Sequence, residues 1–237
     1  MRGHSVGGLG SVTTNKVIAT VAADLFGKSV QAYSKYTSEK KGLPTTYYLT
    51  LAGERIRTHC ELTHVDLVVL NDESAFQWGN PLEGLAANGM CFLQTPRTEP
   101  EQVWSAIPSG TRNQIRDRGI RVFYLDTMAI ARQASSSPAL VQRMQGIALL
   151  GVFLRITPFQ SEQHLSEQEL FDGVTKALEH YFGKRGAKVV KENLEAVKSG
   201  YQRVREVPQE LISGMSPVAP AAIGTAAREE NLCQTRS

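Results

Sequence analysis

Three short apolar runs constrain the fold of this 237-residue chain more than any other feature of its sequence. The runs are VDLVVLND from Val65, MCFLQT from Met90 and IRVFYLDT from Ile120. Each is apolar at nearly every position and is ended by polar or turn-forming residues, a pattern typical of strands that helices bury on both faces. Because helical patterns separate such strands, the sequence predicts βαβ units and a mainly parallel sheet. The predicted fold class is α/β, with helices flanking the sheet in layers.

The N-terminal half contains several further predicted elements. A helix is expected from Ser11 to Gly27, because Val17, Val21 and Leu25 recur at a spacing of four residues. SVQAYSKY and TTYYLTLAG read as strands, and a turn at Ala52–Gly53 predicts that ERIRTHCEL pairs back as a hairpin partner. NPLEGLAANG is expected to form a short helix closed by Gly89.

The C-terminal half is predicted to be mainly helical. ALVQRMQGIALLGVFLRI is apolar nearly all round, with Gly146 and Gly151 thinning it where another helix or subunit approaches. Ser166 and Glu169 form a capping box for a helix that ends at Gly183. A last helix carries Val190, Leu194 and Val197 on one face. We therefore expect one domain over residues 1–207 and a flexible tail over residues 208–237, which is rich in Ala and Pro.

Charge and cysteine content exclude several classes of protein. The net charge of +3 is small and the basic residues are interspersed with acids, which argues against a nucleic-acid partner. Cys60, Cys91 and Cys233 lie far apart without a CxxC pair, so neither a zinc site, an iron–sulfur cluster nor a disulfide framework is expected in this chain. No segment has the apolar length of a membrane span or signal peptide. We expect a cytoplasmic protein that does not contact membranes.

The glycine-rich opening, RGHSVGGLGSVTTNK, matches neither common nucleotide-binding motif. Gly8 and Gly10 are followed by Thr13, giving GxGxxT in place of GxGxxG, and no acidic residue ends the second predicted strand, as ribose binding requires. Gly3 and Gly8 have P-loop spacing, but Leu9 stands where the lysine belongs. The sequence therefore supports neither NAD binding nor ATP hydrolysis.

A helix N-terminus remains at this position, and its free N–H groups favour an anion or a carbonyl. The alternative is that the glycines only permit tight turning and close packing between helix and sheet. His4 is interpreted as a hydrogen-bonding turn residue in preference to a catalyst. Asp66 and Asp72 are likewise interpreted as solvated or capping acids, and Trp78 and Trp104 as packing or interface residues. No GxSxG elbow is present, so the sequence gives no sign of a catalytic triad.

Five stretches, taken in order, resemble one family. They are RGHSVGGLGSVTTNK, KYTSEKKGLPTTYYL, VDLVVLND, FYLDTMAIA with QRMQGIALLGVFL, and KVVKENLEAVKSGY. In this order and spacing the chain resembles the gamma subunit or gamma domain of the thiamine-diphosphate-dependent 2-oxoacid:ferredoxin oxidoreductases, the family that includes pyruvate:ferredoxin oxidoreductase. The resemblance runs from Arg2 to about Tyr201 and implies a Rossmann-like domain.

The resemblance implies a noncatalytic component of a heteromeric complex. In this family a 2-oxoacid, by default pyruvate, is decarboxylated on thiamine diphosphate with Mg, coenzyme A takes the acyl group, and electrons leave through iron–sulfur clusters to ferredoxin. The expected partners are the thiamine-binding alpha and beta type subunits and a ferredoxin-like iron–sulfur subunit, and no cofactor is expected to be bound by this chain alone. The cofactor performs the chemistry while the protein supplies placement.

The resemblance also suggests residues that contact coenzyme A. The helix N-terminus at the opening glycines would face a phosphate of coenzyme A or a neighbouring domain. Lys40 and Lys41 would meet the nucleotide phosphates from an exposed loop, and the alternative for them is a solvated or interface-pairing loop. The residues predicted for the glycine site are Ser5, Gly7, Gly8, Gly10, Thr13 and Thr14.

One departure from the family pattern concerns the first strand. Gamma domains of the family begin with a full strand that enters the glycine turn, whereas here only Met1 and Arg2 precede Gly3. Either the strand is short or the chain is a piece of a longer polypeptide. A missing central strand would leave an unpaired sheet edge and make the isolated chain marginally stable. Three other functions stay open: a freestanding Rossmann-like oxidoreductase, a coenzyme A or acyl-binding module that acts alone, and a purely structural brace.

Overall fold

The computed structural model describes residues 1–6, 11–35, 44–57, 60–136 and 141–214. Within these ranges seven strands form one sheet in the order β2-β3-β1-β4-β5-β6-β7. Neighbouring strands are parallel from β1 through β4 and β5 to β6, whereas β2, β3 and β7 join the sheet antiparallel. The predicted α/β fold with its parallel central strands is confirmed.

The strands are β1 Arg2–Val6, β2 Ser29–Lys35, β3 Pro44–Ala52, β4 Val65–Leu70, β5 Leu85–Gln94, β6 Arg121–Leu125 and β7 Arg205–Glu206. The helices are α1 Ser11–Phe26, α2 Pro100–Ala106, α3 Ser109–Asp117, α4 Thr127–Ala134, α5 Val141–Ile156, α6 Phe159–Glu162, α7 Glu167–Phe182, α8 Ala187–Arg203 and α9 Gln209–Ser213. Two 3-10 helices cover Glu73–Trp78 and Gly183–Arg185.

The sheet has two faces with different cover, because strand side chains alternate between faces. Leu67, Val69 and Phe92 pack into a large apolar cluster with α1, α4, α5, α7 and α8, which we call the large side. Val68 and Leu70 face a smaller cluster formed with α2, α3 and α9, which we call the small side. Because each side of the sheet has its own apolar cluster, the apolar runs of β4, β5 and β6 are buried on both faces.

Glycines set the helix packing on the large side. A Cβ atom built on Gly151 would lie closer than 3 Å to the backbone of α8, and one on Gly200 would lie as close to Ala148 of α5. A Cβ on Gly146 would collide with Thr14 of α1. The predicted buried helix and its close neighbours are confirmed, since α5 is buried from Met144 to Leu154 and both predicted glycines face another helix.

The first strand is present and short, with five residues, as the first of the two alternatives predicted. β1 pairs antiparallel with β3 and parallel with β4, so it lies inside the sheet with both edges used. The sequence prediction grouped Gly3 with the glycine turn, but Gly3 is part of this strand. Its lack of a Cβ leaves space for the ring of Tyr47, because a Cβ on Gly3 would collide with that ring.

The hairpin predicted after Ala52 was also wrong. Among the described residues of 54–62 no strand is formed, and β3 pairs instead with β2 on one edge and β1 on the other. Because both edges of β3 are occupied, no position remains for a third partner. The true hairpin pair of β3 is the preceding strand, β2.

The helix predicted at Asn80–Gly89 is replaced by a turn and the start of β5. Gly84 has a φ of 71° and stands so close to the Thr63 carbonyl that a Cβ would not fit, and β5 then runs from Leu85 through Gly89. Pairing of β5 with both β4 and β6 outweighs the helix propensity of this apolar, Ala-containing stretch.

The C-terminal helices follow the prediction, and the packed chain extends past residue 207. The capping box of Ser166 and Glu169 begins α7, which ends before Gly183. Helix α9 buries Ile212, whose carbonyl accepts a hydrogen bond from Arg116 at 2.9 Å. The first residues of the segment predicted as a tail are therefore packed, and residues 215–237 lie outside the described ranges.

No helix in the described part of the chain combines the length and the apolar character needed to cross a membrane.

Candidate functional site

The most distinctive position in the sheet is the carboxyl end of β1 and β4. These adjacent strands are parallel, and the chain leaves them on opposite sides. β1 leads to α1 on the large side, and β4 leads to the 3-10 helix Glu73–Trp78, whose Ala75 and Phe76 pack on the small side. In open α/β sheets a crevice forms where the connections diverge in this way, and ligands bind there.

A cavity of about 190 Å³ occupies this end of the sheet on the small side. It lies between the ends of β1 and β3 and the segment from Asp72 to Pro81. Seven of its eleven lining residues have polar side chains, and the lining also includes the exposed Trp78. The lining residues are His4, Ser5, Thr45, Thr46, Asp72, Ser74, Ala75, Trp78, Gly79, Asn80 and Pro81.

Two basic side chains of β1 lie against this segment. Arg2 is buried and donates hydrogen bonds from its guanidinium to the carbonyls of Pro81, at 3.0 Å, and of Glu83. Its Nε has no partner among the described residues. These bonds to the backbone tie β1 to the chain that leads into β5, so Arg2 has a structural role here.

His4 is an uncharged imidazole at the cavity. Its pKa is lowered from the ordinary 6.5 to about 4, chiefly by burial and also by the nearby Arg2 charge, while the Pro81 carbonyl acts in the opposite direction. Its Nε2 is buried and has no hydrogen-bond partner among the described residues. His4 therefore lies within β1, where the sequence predicted a turn, and at neutral pH it offers the cavity no positive charge.

A second group of polar side chains is buried at the same edge on the large side. Tyr47 donates from its hydroxyl to Asn71 Oδ1 at 3.0 Å, and Gln145 Nε2 donates to the Asn71 carbonyl at 3.4 Å. Asn15 Nδ2 donates to the Tyr48 carbonyl at 2.9 Å. Burial raises the pKa of Tyr47, so its hydroxyl stays protonated. These bonds fix the ends of β1, β3 and β4 relative to α1 and α5.

Two acceptors in this group keep unused capacity. Asn15 Oδ1 and Gln145 Oε1 are buried without a hydrogen-bond partner among the described residues. A buried carbonyl oxygen without a hydrogen-bond donor lowers the stability of the fold. In native structures such an oxygen usually has a partner, such as an ordered water or an ion. Sequence analysis did not identify Tyr47, Asn71 or Gln145. The polar pair Asn71–Asp72, directly after a buried strand, is the sequence signal that could have pointed to this edge.

The structure places the predicted glycine-site residues unevenly. Ser5 is buried at the end of β1 and lines the cavity. Thr14 is also buried, but its side chain packs against Gly146 of α5. Thr13 belongs to α1, and its side chain is not described. The remaining predicted residues, Gly7, Gly8, Gly10, Lys40 and Lys41, lie outside the described ranges.

The other candidate groups are not brought together. Asp66 is exposed near the start of β4, whereas Asp72 follows its end, where it accepts a hydrogen bond from the Ser74 N–H at 2.7 Å. Asp72 is thus a capping acid, as interpreted. Trp104 is buried in the small-side core, whereas Trp78 is 61% exposed. Cys91 is buried and Cys60 exposed. Among the described residues no cluster of three or more His, Cys, Asp or Glu side chains forms a metal site.

The chemistry of this edge suits ligand contact more than bond breaking. The described groups are hydroxyls, amides, a neutral imidazole and the capping carboxylate Asp72. Hydroxyls and a helix N-terminus bind phosphate or carboxylate oxygens, but among the described cavity residues no nucleophile is paired with a base that a third group orients.

Comparison with known proteins places the chain in a family. The family profile described as "Pyruvate ferredoxin/flavodoxin oxidoreductase" matches residues 1–203. The chain belongs to this family, as its resemblance predicted.

Two relatives are similar in length to the chain. The "Pyruvate/ketoisovalerate oxidoreductases common subunit gamma" of Thermococcus litoralis is 25% identical, over 82% of this chain and 95% of the relative. The "Pyruvate synthase subunit PorC" of Methanocaldococcus jannaschii is 25% identical, over 86% and 96%. Other relatives are much longer. The chain spans 16% of the "Pyruvate-flavodoxin oxidoreductase" of Trichormus variabilis, at 22% identity over 86% of this chain.

Solved structures share the fold. The pyruvate oxidoreductase subunit PORC of Thermotoga maritima superposes with a TM-score of 0.63 at 21% identity, covering 87% of this chain and 97% of that one. The 2-oxoglutarate:ferredoxin oxidoreductase of Magnetococcus marinus, with 2-oxoglutarate, coenzyme A and succinyl-CoA bound, gives a TM-score of 0.59 at 19% identity, over 93% of this chain and 32% of that one.

Proposed function

We propose that this chain is the gamma subunit or domain of a 2-oxoacid:ferredoxin oxidoreductase, and that it braces the thiamine-binding subunits without performing the chemistry itself. The observation that carries the proposal is the similarity to relatives named as gamma-type subunits, which extends over 95% and 96% of their length. In the complex a 2-oxoacid, by default pyruvate, is converted to acyl-CoA with electrons passed to ferredoxin. The expected setting is the cytoplasm.

The composition of the chain supports a noncatalytic role. The whole sequence holds three cysteines, fewer than the four that an iron–sulfur cluster commonly requires. Of the two that are described, Cys91 is buried and burial raises the pKa of its thiol to about 12, which keeps it protonated and unreactive. The clusters are therefore assigned to partner subunits, where they supply electron transfer. Thiamine diphosphate and Mg, which supply decarboxylation, are assigned to partner subunits from the family resemblance.

The proposed contact with coenzyme A rests on the edge formed by β1, β4 and α1. Phosphate oxygens accept hydrogen bonds from hydroxyls and helix N–H groups. The cavity offers the hydroxyl residues Ser5, Thr45 and Thr46, and α1 begins five residues after β1. The guanidinium of Arg2 is already committed to the Pro81 and Glu83 carbonyls. A cation for the phosphates would therefore come from Lys40 and Lys41, with Gly7, Gly8, Gly10 and Thr13 completing the predicted site. Thr14 is left out of the proposed contact because its buried side chain packs against Gly146 of α5.

The subunit assignment is tested by isolating the chain from its native host. The tagged chain is purified without oxygen and its assemblies are weighed by native mass spectrometry. We expect recovery with thiamine-binding and iron-containing partners. Recovery as a folded monomer would refute the proposal. In that case coenzyme A binding by the monomer would support a module that acts alone.

The coenzyme A contact is tested separately in the assembled enzyme. Lys40→Ala together with Lys41→Ala removes two cations, and we expect the Kd for coenzyme A to rise about tenfold. Lys191→Ala, on the exposed surface of α8, is the matched control and leaves the Kd unchanged. Unchanged affinity in the double variant, with assembly intact, would remove the lysines from the site while the subunit assignment stands.

A further inference from the structure

A second cavity lies on the large side, away from the edge described above. It has a volume of about 310 Å³ and is enclosed by the first turns of α5, the end of α7 and the first turns of α8. At about 30 Å³ for each water-sized group, this volume accommodates roughly ten heavy atoms of a ligand. None of the residues assigned to the coenzyme A contact lines it.

The floor of this cavity is apolar. Met144, Ile147 and Phe182 are buried there and belong to the large-side core, with Val189 half-buried beside them. A concave apolar surface of this kind favours a hydrocarbon chain or ring, because burying apolar area removes it from water.

The rim of this cavity carries positive charge. Arg143 and Arg185 line it and are exposed, and neither has a carboxylate partner within ion-pair distance in the described part of the chain. The guanidinium of Arg185 lies 5.7 Å from the centre of the Phe182 ring. Glu192 is the acid in the lining, and Lys188 lies 3.8 Å from it. The rim therefore has an excess of guanidinium groups above an apolar floor.

We propose that this cavity binds a small amphipathic carboxylate, with its apolar part on Met144, Ile147 and Phe182 and its carboxylate at Arg143 and Arg185. Planar guanidinium groups match a carboxylate in both geometry and charge. Tyr181 and the buried amide of Asn193 complete the wall and limit the length of the hydrocarbon part. This proposal is independent of the identity of the 2-oxoacid and of the coenzyme A contact.

Octanoate is the test ligand, and isothermal titration calorimetry with the full 237-residue chain is the measurement. We expect octanoate to bind with a stoichiometry of one and at least tenfold more tightly than 1-octanol or octyltrimethylammonium. Arg143→Gln combined with Arg185→Gln should lower the octanoate affinity at least tenfold, since both rim charges are lost. Val189→Trp, which fills the cavity, should abolish binding.

Arg55→Gln is the matched control, because Arg55 is an exposed arginine that does not line this cavity. The octanoate affinity of this variant should equal that of the wild type. Circular dichroism measures whether each variant is folded. If Val189→Trp does not fold, the octanoate affinity of the Arg143→Gln, Arg185→Gln variant decides the test, because both arginines are exposed. Three results would each overturn the proposal: no octanoate binding at 10 mM, equal binding of octanol, or wild-type affinity in the double arginine variant.

Discussion

The two sides of the sheet are built differently. The large side is covered by helices of 16 or 17 residues, α1, α5, α7 and α8, which form one continuous apolar cluster. The small side is covered by shorter pieces, including α3 with nine residues and α9 with five. It also carries the 3-10 helix Glu73–Trp78, which buries none of its residues and ends in Trp78, a side chain that is 61% exposed.

This difference in helix length indicates that the large side stabilises the fold, whereas the small side is the one suited to ligand contact. A side with long helices in backbone contact opens only when the domain unfolds, whereas short elements with little buried surface open locally at lower free energy. The candidate cavity at the end of β1 is lined on the small side by these short elements. The following predictions test this contrast, from the largest expected change in the free energy of unfolding to the smallest.

The largest effect is expected where α5 and α8 meet. A Cβ on Gly151 or on Gly200 would lie closer than 3 Å to the backbone of the other helix, which cannot yield as a side chain can. We therefore expect Gly151→Ala and Gly200→Ala each to lower the free energy of unfolding by about 3 kcal/mol or more. Urea titration followed by circular dichroism measures the change.

Gly110 provides the matched control for these two variants. It lies in α3 on the small side, and a Cβ there would have nothing within 4 Å. Gly110→Ala should be neutral or stabilise by up to about 1 kcal/mol, because alanine loses less backbone entropy in a helix. A loss below 1 kcal/mol in both α5 and α8 variants would contradict the close helix approach.

An effect of intermediate size is expected from His4 in acid. Its folded pKa is about 4, below the ordinary 6.5, so the unfolded state binds the proton more readily. Stability from this group is therefore complete above pH 6.5 and is lost as the pH falls towards 4. The loss amounts to up to about 3 kcal/mol.

His4→Gln separates this contribution from those of other titrating groups. The difference in unfolding free energy between wild type and variant is measured by urea titration at pH 7, 6, 5 and 4.5. We expect the wild type to lose stability relative to the variant across this range. A difference that stays constant with pH would show that the ring is solvated and that the small-side cavity is open around it.

The smallest effect compares one cap from each side. Ser166 accepts the Glu169 N–H at the start of α7, and Ser166→Ala should cost about 1 kcal/mol of global stability. Asp72 caps the 3-10 helix Glu73–Trp78, so Asp72→Ala should cost less than about 0.5 kcal/mol globally. It should instead raise amide hydrogen exchange across that helix. Equal global costs would mean that both sides unfold as one unit.

Several elements were predictable because local patterns and packing agree. The buried strands β4 and β6, helix α1 ending at Gly27, and the capping box of α7 all appear where their residues indicate. The failures came where sheet pairing decided. The segment after Ala52 forms no hairpin because β2 and β1 occupy both edges of β3, and β5 begins in a stretch with helix propensity. Strand partners are distant in sequence, so no local pattern encodes them.

The candidate site was predictable in position and only partly in composition. Ser5 was identified and lines the cavity, and Asp72 was identified as a capping acid. A role for Tyr47 and Gln145 at this site was not predicted, because each belongs to an apolar segment whose pattern predicts core packing. They meet Asn71 only because β3 and α5 converge on the end of β4.

The sequence by itself determined the α/β class, the helices of the C-terminal half and the family resemblance, since apolar periodicity, caps and motif order are local properties of the chain. The tertiary structure decided the antiparallel addition of β2 and β3, the position of β1 inside the sheet, and the two cavities. These features depend on which distant backbone edges pair and on how closely helices approach. Such contacts are fixed by hydrogen bonding and packing across the whole fold.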